Sequence, residues 1–216
     1  MSVLRIQRLA GKAAGDRPKG YNRSYRFLRD DVPIYQCHAY RWCMKPCEFS
    51  PLDAGQAEKF VLRSSRPFMP MTWIVEDKES ALRHGSLKRK LFGKVDWRLR
   101  DAGGKQIATV VGRYERRSWL FRLWIVRFID FFLGARLPDS YEIVSNGEIL
   151  ATIAREAHPQ HEPVKTKRGV ANLLGKVLVE KDWVVREVSG KEGRLDHRLL
   201  LCGVVLLEQI SRDVSG

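Results

Sequence analysis

The sequence predicts a mainly β protein: an antiparallel barrel or sandwich that meanders from strand to strand, with one buried helix near the C-terminus. Two observations predict it. The first is a repeated hairpin. Trp97-Arg98-Leu99-Arg100-Asp101-Ala102-Gly103-Gly104 leads into Ile107-Ala108-Thr109-Val110, and Tyr141-Glu142-Ile143-Val144-Ser145-Asn146-Gly147 leads into Leu150-Ala151-Thr152-Ile153. Each unit alternates with period two around a Gly-containing turn, which is the pattern of a half-buried hairpin. The second is the unbroken apolar run Leu199–Leu207. A helix apolar on every face must be enclosed, and this run is far shorter than the ~20 residues that span a bilayer.

Taken in order, residues 1–31 read as a basic arm. Arg5, Arg8, Lys12, Arg17, Lys19 and Arg23 are interleaved with apolar residues, and Asp16 is the only acid before Asp30. An Arg-rich, acid-poor, amphipathic start has the character of an uncleaved mitochondrial targeting segment. Residues 32–59 form a lead-in with Pro33, Pro46, Pro51 and three cysteines, read as irregular with short strands. Phe60-Val61-Leu62 and Thr72-Trp73-Ile74-Val75 read as strands, and Leu82–Lys94 as a basic strand pair turning near Lys88-Arg89-Lys90. The hairpins follow, separated by an insertion at 113–138 that reads as an amphipathic helix. Val177-Leu178-Val179 and Trp183-Val184-Val185 form the last strand pair, joined across Glu180-Lys181-Asp182. Asp196 is placed to cap the terminal helix.

Composition bounds the function. The chain has 216 residues, 44% hydrophobic and 30% charged, which is ordinary globular usage and excludes a disordered chain. Lys and Arg number 39 against 25 Asp and Glu, a net charge of +14. Such a surplus calls for an acidic partner: an anionic membrane, nucleic acid or an acidic chain. Four cysteines in this length do not make a secreted disulfide scaffold.

From Phe60 to Ile210 the order of features resembles the tubby C-terminal-like superfamily, which includes phospholipid scramblases and LURP-one-related proteins. The two hairpins, the Trp73-Ile74-Val75-Glu76-Asp77 unit and the apolar helix from Asp196 to Glu208 carry the resemblance. It implies a closed antiparallel barrel around the C-terminal helix and a non-catalytic protein. Tubby-like domains bind phosphoinositides through basic residues, and scramblase-like members associate with membranes. The chain departs from the family in its long insertion and in lacking an Asp-rich loop.

Two groups of residues are candidates for contact with a partner. The basic stretch Lys88, Arg89, Lys90, Arg98 and Arg100, with Arg116, Arg117, Arg122 and Arg127 of the insertion, is the candidate anionic-lipid or phosphate surface. Trp119, Trp124, Phe128, Phe131 and Phe132 are the candidate membrane or partner contacts, since rings and guanidinium groups suit the headgroup layer. Cys37, His38, Cys43 and Cys47 cluster, but their Cys-x5-Cys-x3-Cys spacing lacks the paired ligands of a zinc site, so no metal is assigned. His158, His161, Glu156 and Glu162 accompany no catalytic motif. The expectation is a protein without enzymatic activity or cofactor. Its partner would be anionic phospholipid, cardiolipin or phosphoinositide, at a membrane surface, with the mitochondrial inner membrane favoured over the cytoplasmic one. The alternative is an accessory structural subunit of a large mitochondrial assembly, a respiratory or ATP synthase complex or the ribosome. RNA as a partner rests on charge alone.

Overall fold

The structure is a computed structural model that describes residues 3–9, 21, 23–40, 45–52, 58–66, 71–90, 97–113, 138, 140–157, 181–188, 190–191 and 193–213. It is a closed barrel of twelve antiparallel strands with a helix inside. The strands are β1 (Val3–Leu9), β2 (Arg23–Arg29), β3 (Val32–Ala39), β4 (Cys47–Pro51), β5 (Phe60–Ser64) and β6 (Thr72–Asp77). They continue as β7 (Arg83–Arg89), β8 (Trp97–Asp101), β9 (Gln106–Arg113), β10 (Ser140–Ser145), β11 (Glu148–Ala157) and β12 (Lys181–Glu187), followed by helix α1 (His197–Asp213). Every strand pairs with its neighbour in sequence, and β12 closes on β1 with Leu4 opposite Val185. Closure removes both sheet edges.

Period-two alternation builds the wall. Leu4, Ile6, Tyr25, Phe27, Leu62 and Leu99 are among the buried inward side chains. Phe49 and Phe60 stack at 4.4 Å between ring centres. Both predicted hairpins form, as β8–β9 and β10–β11. Asn146 and Gly147 make the tight turn of the second with φ of 49° and 83°, which Asn and Gly tolerate best.

The helix fills the barrel. The backbone N–H of Arg198 donates to Asp196 Oδ1 at 2.8 Å, so Asp196 caps as expected. From Leu199 to Gln209 every residue is buried except the half-buried Gly203. Leu199, Leu200, Gly203 and Leu207 meet Leu87, Trp97, Leu99, Val110, Ile143 and Ile153 around an apolar void of about 10 Å³. A helix apolar all round is stable here because wall side chains surround it on every side.

The structure corrects several expectations. The barrel begins at Val3, not at Phe60, because the described parts of the basic arm are strands β1 and β2. Arg5, Gln7 and Arg26 alternate with Leu4, Ile6, Tyr25 and Phe27, so charge faces out and apolar surface faces in. The lead-in is likewise wall: β3 runs for eight residues and β4 for five. Lys88 and Arg89 lie inside β7 rather than in a turn, and Lys181 and Asp182 lie inside β12 rather than between strands. The helix continues to Asp213. Val177–Val179 and the insertion helix, apart from Arg113 at the end of β9 and the lone Pro138, lie outside the described residues.

Strict up-and-down order gives the barrel two unlike ends. At the turn end the connections are 30–31, 52–59, 78–82, 102–105, 146–147 and 188–196, and α1 enters there. At the loop end they are 10–22, 40–46, 65–71, 90–96, 114–139 and 158–180. Ring contact of Tyr35 with His197, and the Gln209 side-chain amide 3.9 Å from Cys47 Sγ, fix the direction of α1 from the turn end to the loop end.

Candidate anion-binding face

Residues of β7 and β8 alternate between core and solvent. Leu87, Trp97 and Leu99 point in, so Lys88, Arg98 and Arg100 point out. Pairing places Lys88 opposite Arg98, with Thr72 and Thr109 continuing the row on β6 and β9. Arg100 lies one row along, opposite Ser86. Directly opposed side chains have Cβ atoms about 5 Å apart, and like charges there repel.

Acids relieve such repulsion elsewhere on the wall. Arg63 pairs with Glu76, Lys78 with Glu48 at 2.7 Å, Arg113 with Glu142 and Arg186 with Glu156. Among the described residues Lys88, Arg98 and Arg100 have no carboxylate partner, and the buried Nε–H of Arg100 has no hydrogen-bond acceptor. The face is therefore a row of uncompensated cations flanked by hydroxyls. Its chemistry is that of a receptor for phosphate or carboxylate oxygens.

The remaining sequence candidates divide. Lys90 is exposed just beyond β7 and extends the same patch. Arg89 is half-buried, opposite the inward Trp97, and is engaged with another group, so it does not join the outer row. Arg116, Arg117, Arg122 and Arg127 lie outside the described residues, as do Trp119, Trp124, Phe128, Phe131 and Phe132. Cys43, His158, His161 and Glu162 also lie outside them. Cys37 and Cys47 are buried inward thiols. His38 points to the other side of β3, where Nδ1 lies 3.1 Å from Ser24 Oγ. Adjacent strand residues face opposite ways, so Cys37 and His38 do not share a site. Glu156 is bound to Arg186.

Two polar clusters have no counterpart in the sequence reading. At the turn end, the Arg198 guanidinium is held by Asp196 at 3.1 Å and Glu58 at 2.9 Å, and lies 3.3 Å from His84 Nε2. Glu58, Asp77 and His84 have the donor types of a metal site, but the guanidinium already supplies the cation. A cleft of about 510 Å³ opens beside it, lined by Arg29, Glu187, Gly193, Leu195, Asp196, His197 and Arg198. Its charges are mixed. Near the loop end, the buried Glu208 accepts from the Trp183 indole at 2.7 Å and from Arg155 at 3.4 Å. Trp183 and Glu208 are 25 positions apart and Glu58 and Arg198 are 140 apart, so no local spacing marks these contacts.

Among the described residues no helix is long and apolar enough to cross a membrane. The ion pairs on the outer wall also differ from the continuous apolar band of a membrane-spanning barrel. No protein-family model, no curated protein sequence and no solved structure matches the chain.

Proposed function

We propose that the chain is a non-catalytic barrel of the tubby and scramblase type that binds anionic phospholipid at a membrane surface. The observation that carries this reading is the unpaired ladder Lys88, Arg98 and Arg100 on a closed, core-filled barrel. A rigid sheet holds the three cations in fixed register, so little side-chain order remains to be imposed when phosphate oxygens arrive. The net charge of +14 adds long-range attraction to an anionic leaflet. Cardiolipin and phosphoinositides both supply the phosphate, and the cardiolipin of the mitochondrial inner membrane is the proposed setting.

The test is flotation with phosphatidylcholine vesicles, with and without cardiolipin or a phosphoinositide. Each basic residue near an anionic surface contributes about 1 kcal/mol. Reversing all three as Lys88→Glu, Arg98→Glu and Arg100→Glu should therefore weaken binding by at least about 100-fold. Equal flotation of wild type and triple variant sinks the role of this face. Failure of the wild type to float, with recovery from cells in one stoichiometric assembly, favours the accessory-subunit reading.

A further inference from the structure

The two ends of the barrel differ in charge and in aromatic content. At the loop end the described rim carries exposed Arg8, Lys45, Arg66, Lys88 and Lys90, contributed by four separate strand termini, with Arg98 beside them. None of them forms an ion pair with an acid of the described chain. At the turn end the acids Asp30, Asp31, Glu58, Asp77, Asp101 and Glu148 balance the cations, of which Lys191 and Arg194 pair with Glu148 and Lys78 with Glu48.

The sequence of the connections follows the same division. Those of the loop end carry net charges of +2 (10–22), +2 (40–46), +1 (65–71), +1 (90–96), +2 (114–139) and +2 (158–180), a total of +10. Those of the turn end carry −2 (30–31), −1 (52–59), 0 (78–82), +1 (102–105), 0 (146–147) and 0 (188–196), a total of −2. Of the chain's 21 aromatic residues, the nine on strands line the core or its rim and the other twelve all belong to loop-end connections. The turn-end connections contain none. Folding alone does not require this segregation, because either end could have taken the long connections. Trp, Tyr and Phe beside Arg and Lys is the composition of a bilayer interface, where rings sit at headgroup level and cations meet phosphates.

We infer that the barrel docks on an anionic bilayer end-on, with the loop end against the lipid and the turn end directed away. This orientation rests on the membrane reading above. Its geometry also accounts for the position of Lys88 and Arg98, the penultimate residue of β7 and the second of β8, both close to the loop end, while Arg100 lies nearer the turn end and outside this contact.

Site-directed fluorescence quenching tests the orientation. Cys37, Cys47 and Cys202 are buried, so a Cys43→Ser background leaves an added thiol as the reactive one. Ser65→Cys places a dye at the loop end and Ala102→Cys places it at the turn end, both exposed and neither removing a cation. Labelled proteins are mixed with phosphatidylcholine–phosphatidylglycerol vesicles bearing spin-labelled headgroups. The expected result is loss of emission at position 65 and unchanged emission at position 102, with vesicle flotation of both equal to wild type. Flotation with equal quenching, or with quenching at 102 alone, overturns the end-on orientation and leaves the membrane reading standing. No flotation of the unlabelled protein removes both, and binding to RNA in its place redirects the basic end to nucleic acid.

Discussion

The indole N–H of Trp183, on β12, donates to the carboxylate of Glu208, on α1, at 2.7 Å in the barrel interior. Arg155 from β11 reaches the same carboxylate and lies 4.8 Å above the Trp183 ring. The three residues fasten the enclosed helix to the wall at the end where it finishes. Apolar contacts alone would let the helix slide along its axis, and a buried carboxylate with two donors gives it one register.

Glu208→Ala leaves an indole N–H and a guanidinium without that acceptor, and should cost roughly 3 kcal/mol. Glu208→Gln keeps an acceptor for the indole and should lose less. Denaturant titration followed by Trp emission checks both. A Glu208→Gln variant as stable as the wild type would show that the carboxylate charge contributes nothing.

Two glycines should respond in opposite directions. A Cβ on Gly85 would run into the carbonyl oxygen of Arg100 and approach the Leu199 methyl groups to 3.0 and 3.1 Å. Gly85→Ala should destabilise by about 2 kcal/mol, since wall and helix cannot both yield. A Cβ on Gly203 would meet only Leu87 Cδ2, at 3.4 Å, beside the internal void. Gly203→Ala should stabilise by about 1 kcal/mol through helix propensity, and raise Tm by about 2–4 °C. Thermal melts of both variants decide the signs.

Removal of residues 1–9 deletes β1 and exposes the edges of β2 and β12. Leu4 and Ile6 leave the core with it. The truncated chain should lose its cooperative transition and aggregate through the open edges. Gel filtration and near-ultraviolet circular dichroism provide the check, and a soluble monomer with a native-like spectrum would contradict closure by β1.

Acid should loosen the barrel in two stages, the first of them at the turn end. Burial lowers the His197 pKa, against the pull of Asp196 and with repulsion from Arg198, Arg29 and His84, while the Tyr35 ring covers it at 6.0 Å. The unfolded chain therefore binds the proton more readily, and stability falls as pH drops below about 6.5. His197→Gln should flatten this first stage. The second stage belongs to Asp196 and Glu48. Burial alone would raise both, but hydrogen bonds from Arg198 to Asp196, and from Lys78 and Tyr21 to Glu48, hold them below their ordinary values. Their contribution is complete above about pH 4.5 and is lost as pH falls through the folded-state values. Denaturant midpoints measured from pH 8 to pH 3 should show both stages. A flat profile between pH 7 and pH 5 would show that His197 titrates alike in both states.

The hairpins and the enclosed helix were legible because their signals are local. Alternation at Trp97–Asp101, the Asn146-Gly147 turn and the Asp196 cap each act over a few residues. The first two strands were not legible, because Arg5, Arg8, Arg23 and Arg26 made the segment read as a solvated arm. Arg5 and Arg26 are compatible with a strand because they take outward positions between Leu4, Ile6, Tyr25 and Phe27, while Arg8 and Arg23 share the inward phase where the two strands reach the loop end. Within the basic stretch the structure places Lys88, Arg98 and Arg100 on the outer face and leaves Arg89 opposite the inward Trp97. Face assignment depends on the phase of the strand, and the sequence placed a turn where β7 continues.

By itself, the sequence determined the fold class, the buried terminal helix and the excess of positive charge, since each follows from periodicity or composition. Only the tertiary structure decided that Val3–Leu9 meets Lys181–Glu187 to close the barrel, and that Lys88 stands opposite Arg98 with no carboxylate partner among the described residues. It also decided that the three longest connections, 10–22, 114–139 and 158–180, leave from one end. Closure and register are set by which strands become neighbours across the whole circumference. That choice is made by the combined burial of inward side chains from twelve strands around one helix, and no stretch of local sequence contains it.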